Sequence, residues 1–120
     1  AVGVGGFLGS VARYAVGGLA ERLAPEALFP WGTLSVNVIG CFLIAFAAGV
    51  GESKGWLGPG ARAFLLVGLL GGFTTFSTFG YETWALLKEG QLGFGLANAF
   101  ANMFLGLLAI LLGMASARGV

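Results

Sequence analysis

Four long apolar segments constrain this chain more than any other feature of its sequence. They cover roughly residues 2–20, 32–50, 61–87 and 92–117, and a helix needs about 20 mostly apolar residues to cross a bilayer. A lipid-exposed strand is implausible, because backbone groups left unpaired in hydrocarbon are too costly. The sequence therefore predicts an all-α membrane protein with four transmembrane helices in one domain, residues 1–120.

The composition agrees with a membrane protein and excludes several functions. Hydrophobic residues make up 58% of the chain and charged residues 9%, whereas about one quarter of a typical soluble domain is charged. With no histidine and only one cysteine, Cys41, neither a zinc or iron site nor an intrachain disulfide is expected. The net charge of +1 gives no footprint for nucleic acid. We find no nucleophile–base set, so no enzyme is predicted.

The loop charges give the chain no clear orientation in a membrane. One side of the predicted bundle carries Lys54, Arg62 and Arg118, and the other carries Arg22 and Lys88. Three against two is too small a bias for the positive-inside rule to decide. A chain without a preferred orientation can insert both ways, and two such copies can pair about a two-fold axis. This pattern favours a dual-topology antiparallel homodimer.

Polar residues recur at helical spacing inside two of the spans. Thr33 and Asn37 lie four residues apart in the second span, which places them on one helix face. Asn98 and Asn102 repeat that spacing in the fourth span, and Gly106 continues the line. Such amides either hydrogen-bond between packed helices or line a wet path for a solute. Because three asparagines align in this way, we favour the wet path.

Arg13 is the basic residue inside the first span. Its side chain either reaches towards the interface or a helix C-terminus, or it forms an electropositive vestibule. The sequence leaves both interpretations open.

The stretch "GGFTTFSTF" at residues 71–79 interrupts the third span. Its glycines lower helix propensity, and its hydroxyl side chains compete for backbone hydrogen bonds. We therefore predict a helix break near residues 71–78. Broken helices at membrane depth line a cavity or bind an ion. Freed carbonyls favour a cation, whereas freed amides and hydroxyl donors favour an anion.

Three phenylalanines accompany the break. Phe73, Phe76 and Phe79 repeat every third residue, which predicts a shared helix face. Their rings either pack against lipid or turn their positive edges towards a small anion beside the asparagine and threonine donors.

These motifs together resemble the Fluc (CrcB) family of bacterial fluoride ion channels. The resemblance includes "GGFTTFSTF" and also "GGFLGSVARY" at 5–14, "PWGTLSVNVIGCFLIAF" at 30–46, Glu82 and "LANAFANMFLG" at 96–106, so it covers nearly the whole chain. It implies a dual-topology antiparallel homodimer in the bacterial cytoplasmic (inner) membrane, with two fluoride pathways. Passive fluoride efflux through them would reduce fluoride toxicity.

The resemblance also implies roles for individual residues. Phe76 and Phe79 match the rings whose edges face fluoride, and Asn37 matches the pore asparagine. The backbone carbonyls of Gly71 and Thr74 match the ligands of a sodium ion shared by both copies at the dimer centre. The other positions that the resemblance implies along or beside the pathway are Thr75, Ser77, Thr78, Asn98 and Asn102. Thr33 joins them because of its spacing from Asn37. Gly106 departs from the family, which often has a hydroxyl there.

Two alternatives use the same architecture. A small multidrug-resistance-type exporter is also a four-helix, dual-topology dimer, but it needs a membrane-buried carboxylate. The predicted first span has none, and Glu82 lies late in the third span. The other alternative is a membrane scaffold whose polar residues only hold helices together.

Overall fold

The computed structural model describes residues 1–25, 27–55 and 58–119. Within that part of the chain, four helical spans are long and apolar enough to cross a membrane: Val2–Leu23, Trp31–Lys54, Pro59–Lys88 and Leu92–Arg118. The prediction of an all-α membrane protein with four spans is confirmed. The first span is helix α1 and the second is helix α2. Each span ends beyond its predicted last residue, because polar end residues continue the helices past the apolar segments.

The extension of α1 changes one prediction, that the first span contains no acidic residue. Because α1 continues to Leu23, it includes Glu21 in its last turn. The first span therefore does contain an acid, but this carboxylate is exposed at the end of the helix. An exporter would instead need a membrane-buried carboxylate in this span.

The third span is built from several short segments. They are helix α3 (Pro59–Arg62), a π-helix (Ala63–Leu70), helix α4 (Gly71–Phe73), the non-helical residues 74–76 and helix α5 (Ser77–Lys88). The predicted break is confirmed, and it begins at Thr74, whose backbone is extended with φ −88° and ψ 160°. The π-helix was not expected, because its apolar sequence contains no signal that separates it from an α-helix.

Glycines bring α1 into close contact with the first half of the third span. A Cβ added to Gly5 would lie 2.8 Å from the backbone nitrogen of Leu69, and one added to Gly72 would lie 2.9 Å from the carbonyl oxygen of Gly6. Small residues spaced four apart permit this approach between helix backbones. The two helices therefore pack backbone against backbone, with no side chain between them.

The second and fourth spans, α2 and helix α6 (Leu92–Arg118), form the other main contact. A Cβ on Gly113 would lie 2.9 Å from the Cβ of Ala45, and one on Gly49 would lie 2.7 Å from the Cβ of Ala117. Gly90, with φ of 80°, reverses the chain between α5 and α6. This arrangement sets α6 beside both α2 and the C-terminal half of the third span.

Gly9 offers a direct test of the backbone packing. We expect Gly9→Ala to destabilise the fold by about 1–3 kcal/mol, the usual penalty for overpacking, because the added Cβ would collide with the carbonyl of Leu69 and lie 2.9 Å from the nitrogen of Phe73. Gly18→Ala is the matched control, since nothing lies within 4 Å of its added Cβ. Thermal unfolding in detergent checks both. Equal melting temperatures for Gly9→Ala and the parent would contradict the packing.

Candidate functional site

The site is organised around Asn37, whose side chain fastens the helix break to α2. Its Nδ2 donates to the carbonyl oxygen of Thr75 at 3.1 Å, and the N–H of Thr75 donates back to Asn37 Oδ1 at 3.0 Å. The same Nδ2 donates to Oδ1 of Asn102 at 3.0 Å. One amide therefore joins α2, the break and α6.

These bonds redirect two backbone donors within the break. In a continuous α-helix the N–H of Thr75 would donate to the carbonyl of Gly71, and the N–H of Thr78 to that of Thr74. Here Thr75 donates to Asn37 instead, and Thr78 donates to Thr75 Oγ1 at 3.3 Å. The carbonyls of Gly71 and Thr74 are thereby released from the helical pattern.

A line of amides continues along α6. Asn102 Nδ2 donates to both the backbone oxygen and Oδ1 of Asn98, each at 2.9 Å. Asn98 is fully buried, and its Nδ2 donates to Thr83 Oγ1 at 2.9 Å. The Thr83 hydroxyl in turn donates to the carbonyl of Phe79 at 2.8 Å. We call Asn37, Asn102 and Asn98 the amide ladder.

Gly106, which continues the line of the ladder, is a packing position. It is buried, and an added Cβ would lie 3.4 Å from the sulfur of Cys41. A glycine at this point lets α6 lie against α2 at the level of Cys41. Close packing against Cys41 therefore explains why residue 106 has no side chain.

The three phenylalanines do not share a face, so that expectation is wrong. Phe73 is 6% exposed, whereas Phe76 is 82% exposed. The helical spacing fails because residues 74–76 are not helical. Phe76 and Phe79 do form a pair, with ring centroids 5.6 Å apart and planes tilted by 56°. The pair therefore lies at the break, and Phe73 belongs to the core.

An open cavity of about 1030 Å³ extends from the break along α1 and α2. Its walls include five polar residues singled out in the sequence: Arg13, Thr33, Thr75, Thr78 and Glu82. Within the described residues, the buried Arg13 Nε and Glu82 Oε1 have no hydrogen-bond partner. The cavity is thus a partly polar space that reaches the helix break, and Arg13 and Glu82 both lie in its wall.

Two residues of the site were missed from the sequence. Thr83 lies four residues after Phe79, a spacing at which a threonine hydroxyl in a helix can donate to the earlier carbonyl. Gly40 lies where α2 meets the break, and a Cβ there would collide with the methyl group of Thr74 and lie 3.3 Å from the Phe73 ring. Its signal was a glycine three residues after Asn37.

Comparison with known proteins places this chain in a family. A family model described as CrcB-like protein, Camphor Resistance (CrcB), matches residues 1–114. A protein of Rhizobium meliloti named fluoride-specific ion channel FluC is 48% identical over 120 residues, which cover 99% of this chain and 94% of the relative.

Two further relatives carry the same name. The protein of Thermus thermophilus is 49% identical over 112 residues, covering 93% of this chain and 88% of the relative. The protein of Methylobacillus flagellatus is 43% identical over 112 residues, with the same two shares of 93% and 88%. The chain therefore belongs to the CrcB-like protein family.

Proposed function

We propose that this protein is a fluoride-selective ion channel, not an enzyme, through which fluoride moves passively down its electrochemical gradient. The observation that carries the proposal is the amide ladder fastened to the helix break beside the Phe76–Phe79 pair. The relatives named fluoride-specific ion channel support it. In the cytoplasmic membrane of a bacterium, with a negative cell interior, the net direction is outward and the result is fluoride resistance.

The pathway we propose begins in the cavity and ends beside the ladder. Arg13 places a positive charge in the cavity wall, where Glu82 also lies, and a nearby cation attracts an anion. The hydroxyls of Thr33, Thr75 and Thr78 line the cavity, and Ser77 is exposed beside Phe76. These groups replace water around the anion before it reaches the ring edges.

The ladder constrains how an anion can use its amides. The amide nitrogens of Asn37 and Asn102 already donate two hydrogen bonds each within the chain. An anion that binds at Asn37 or Asn102 must therefore replace one of these hydrogen bonds. The positive ring edges of Phe76 and Phe79 and the second N–H of Asn98 supply the contacts that require no such exchange.

Expression in a bacterium that lacks its own fluoride exporters tests the proposed function. We expect the chain to restore growth at fluoride concentrations that stop the host, because passive outflow lowers the internal concentration. An Asn37→Asp variant expressed to the same level is the inactive comparison. Growth no better than with empty vector, despite membrane expression, would count against a fluoride channel.

We infer that two copies pair in opposite orientations. The 82% exposed ring of Phe76 and the exposed Gly71 and Ser77 lie midway along the third span, where a second copy would cover them. The positive charges at the helix ends show little bias: Lys54, Arg62 and Arg118 lie at the ends of α2, α3 and α6, while Arg22 and Lys88 lie at the ends of α1 and α5.

Cysteine labelling tests the opposite orientations. With Cys41 replaced by alanine and the exposed Ser53 replaced by cysteine, a membrane-impermeant thiol reagent is applied to sealed cells. We expect about half of the protein to be labelled, because a dual-topology chain presents residue 53 equally to both sides. Lysed cells give the full-labelling reference. Labelling of all or none of the protein in sealed cells would contradict the antiparallel dimer.

We further propose a sodium ion at the dimer centre, held by the carbonyls of Gly71 and Thr74 from both copies. The support is the release of these two carbonyls by the bonds to Asn37 and Thr75. Neutral oxygen ligands suit a hard cation, and a two-fold axis doubles two carbonyls to four. Such an ion would supply positive charge near the pathway.

A high-resolution structure of the purified dimer checks the sodium proposal. We expect density surrounded only by carbonyl oxygens, which should persist in Thr74→Val because backbone atoms bind the ion. Hydrogen-bond donors directed at the density would show water in its place and contradict the assignment.

A further inference from the structure

Thr83 has no role in the pathway described so far, yet its hydroxyl ends the amide ladder. We propose that Thr83 is a positioning residue that holds one amide donor of the ladder, the second N–H of Asn98, in place for the anion. Among the described residues, this N–H has no hydrogen-bond partner of its own. This inference rests on the proposed fluoride channel function.

The hydroxyl group of Thr83 donates its hydrogen bond to one acceptor, the carbonyl oxygen of Phe79. A hydroxyl carries one proton and two lone pairs, and Thr83 Oγ1 lies 2.8 Å from the carbonyl oxygen of Phe79. Because a carbonyl oxygen only accepts, the proton goes to Phe79. Oγ1 then offers only lone pairs to Asn98 at 2.9 Å, so Asn98 presents its nitrogen there and not its oxygen.

The other two amides of the ladder have backbone anchors of their own. Asn37 pairs with both the N–H and the carbonyl of Thr75, and Asn102 donates to the backbone oxygen of Asn98. Among the described residues, the amide of Asn98 makes no direct bond to a backbone group: its oxygen accepts from Asn102 and its nitrogen donates to Thr83. Thr83 therefore holds the nitrogen of this amide, the atom that carries the second N–H, while Asn102 holds its oxygen.

A count of donors shows why this orientation matters. Three primary amides carry six N–H groups, and five hydrogen bonds from them are made within the described residues. The remaining donor is the second N–H of Asn98, a residue that is 0% exposed. A buried donor without a partner is costly, and an anion that accepts from it would remove that cost.

Loss of the Thr83 hydroxyl would disturb this donor in two ways. The N–H now bonded to Thr83 would also lose its partner. If the Asn98 amide then turned over, its nitrogen would face Nδ2 of Asn102, which now donates to Asn98 Oδ1 at 2.9 Å. Two donors would then oppose each other, and an oxygen would replace a donor on the other side.

The experiment compares Thr83→Val with Thr83→Ser in the full chain reconstituted in liposomes. Valine keeps the shape and removes the hydroxyl, while serine keeps the hydroxyl. We expect fluoride flux to fall about tenfold in Thr83→Val, equivalent to about 1.4 kcal/mol, with a lower ratio of fluoride to chloride flux. Thr83→Ser should stay within about twofold of the parent, since the hydrogen bonds that the loss depends on are kept.

A control variant and a second test variant allow the inference to be tested even if Thr83→Val does not fold. Ser53→Ala removes another hydroxyl that donates to a backbone carbonyl in its own helix, that of Val50 at 3.4 Å, and it should leave flux and selectivity unchanged. If Thr83→Val does not fold, Thr83→Cys replaces the hydroxyl with a weaker donor and acceptor of similar size, and its flux and selectivity should fall in the same direction.

The outcomes separate this inference from the proposed function. A folded Thr83→Val that conducts and selects like the parent would overturn the role of Thr83 alone. Equal losses in Thr83→Ser and Thr83→Val would also overturn it, because the hydroxyl would not be the cause. A parent protein that passes no fluoride would overturn the channel function and this inference with it.

Discussion

Replacing Asn37 with aspartate should lower fluoride flux by about a thousandfold or more. The amide donates to the carbonyl of Thr75 at 3.1 Å and to Oδ1 of Asn102 at 3.0 Å, and a carboxylate would instead direct an oxygen at each of these acceptors. It would also place a negative charge beside the proposed anion pathway. Two like charges 4 Å apart repel by about 4 kcal/mol at an effective dielectric constant of 20, and a barrier raised by that amount slows passage about a thousandfold.

The measurement is fluoride efflux from liposomes that contain the purified variant. Gln91→Glu is the matched control, because it makes the same change of amide to carboxylate in the turn before α6, away from the ladder, and should conduct like the parent. Size-exclusion chromatography shows whether each variant assembles like the parent. An Asn37→Asp protein that assembles normally and conducts like the parent would remove Asn37 from the pathway.

Replacing Phe76 or Phe79 with isoleucine should lower fluoride flux by roughly a hundredfold. Isoleucine keeps apolar bulk but lacks the positive ring edge that a phenyl group presents. Each edge contact is weak, yet little else can replace lost water near the exposed Phe76 ring. A barrier higher by about 3 kcal/mol is enough for this loss.

The control for the phenylalanines follows from the fold. Phe73 would serve badly, because it is 6% exposed and its replacement would test folding. Phe100 is 55% exposed and pairs with Phe104, with ring centroids 5.8 Å apart, so Phe100→Ile changes a comparable pair outside the site and should leave flux intact. If Phe76→Ile and Phe79→Ile assemble and conduct like the parent, the rings only pack, and the amide and hydroxyl donors alone steer the anion.

The sequence was informative about the number of spans and about the break. Span number follows from apolar length, because a helix is the form in which a single segment satisfies its own backbone in lipid. The break follows from competition for backbone bonds, and Thr75 shows it directly: its hydroxyl accepts at 3.3 Å from the N–H of Thr78, which in a continuous helix would donate to the carbonyl of Thr74.

The side-chain directions across the break could not be predicted from the sequence. The direction of each ring depends on the backbone angles of residues 74–76, and helical spacing says nothing about a stretch that is not helical. For the same reason Phe73 was wrongly placed on one face with Phe76 and Phe79. The π-helix was missed because α- and π-helical turns have no distinct pattern in an apolar run such as Ala63–Leu70.

The sequence allowed two interpretations of the asparagines, hydrogen bonds between packed helices and a wet path for a solute. The structure shows why the choice between them was difficult. Asn37 and Asn102 bond between α2 and α6, as the packing interpretation predicts. The same amides lie beside the break and lead to the buried donor on Asn98. Spacing alone cannot separate the two roles, because one set of hydrogen bonds serves the packing and positions the proposed pathway.

Fluoride efflux from liposomes tests the central claim most directly. The purified protein is reconstituted in liposomes loaded with potassium fluoride, and external fluoride is followed with an electrode. We predict rapid release once valinomycin lets potassium carry the compensating charge, slow release without it, and chloride release close to that of protein-free liposomes. Fluoride release no faster than from protein-free liposomes, by protein that remains assembled, would contradict the account.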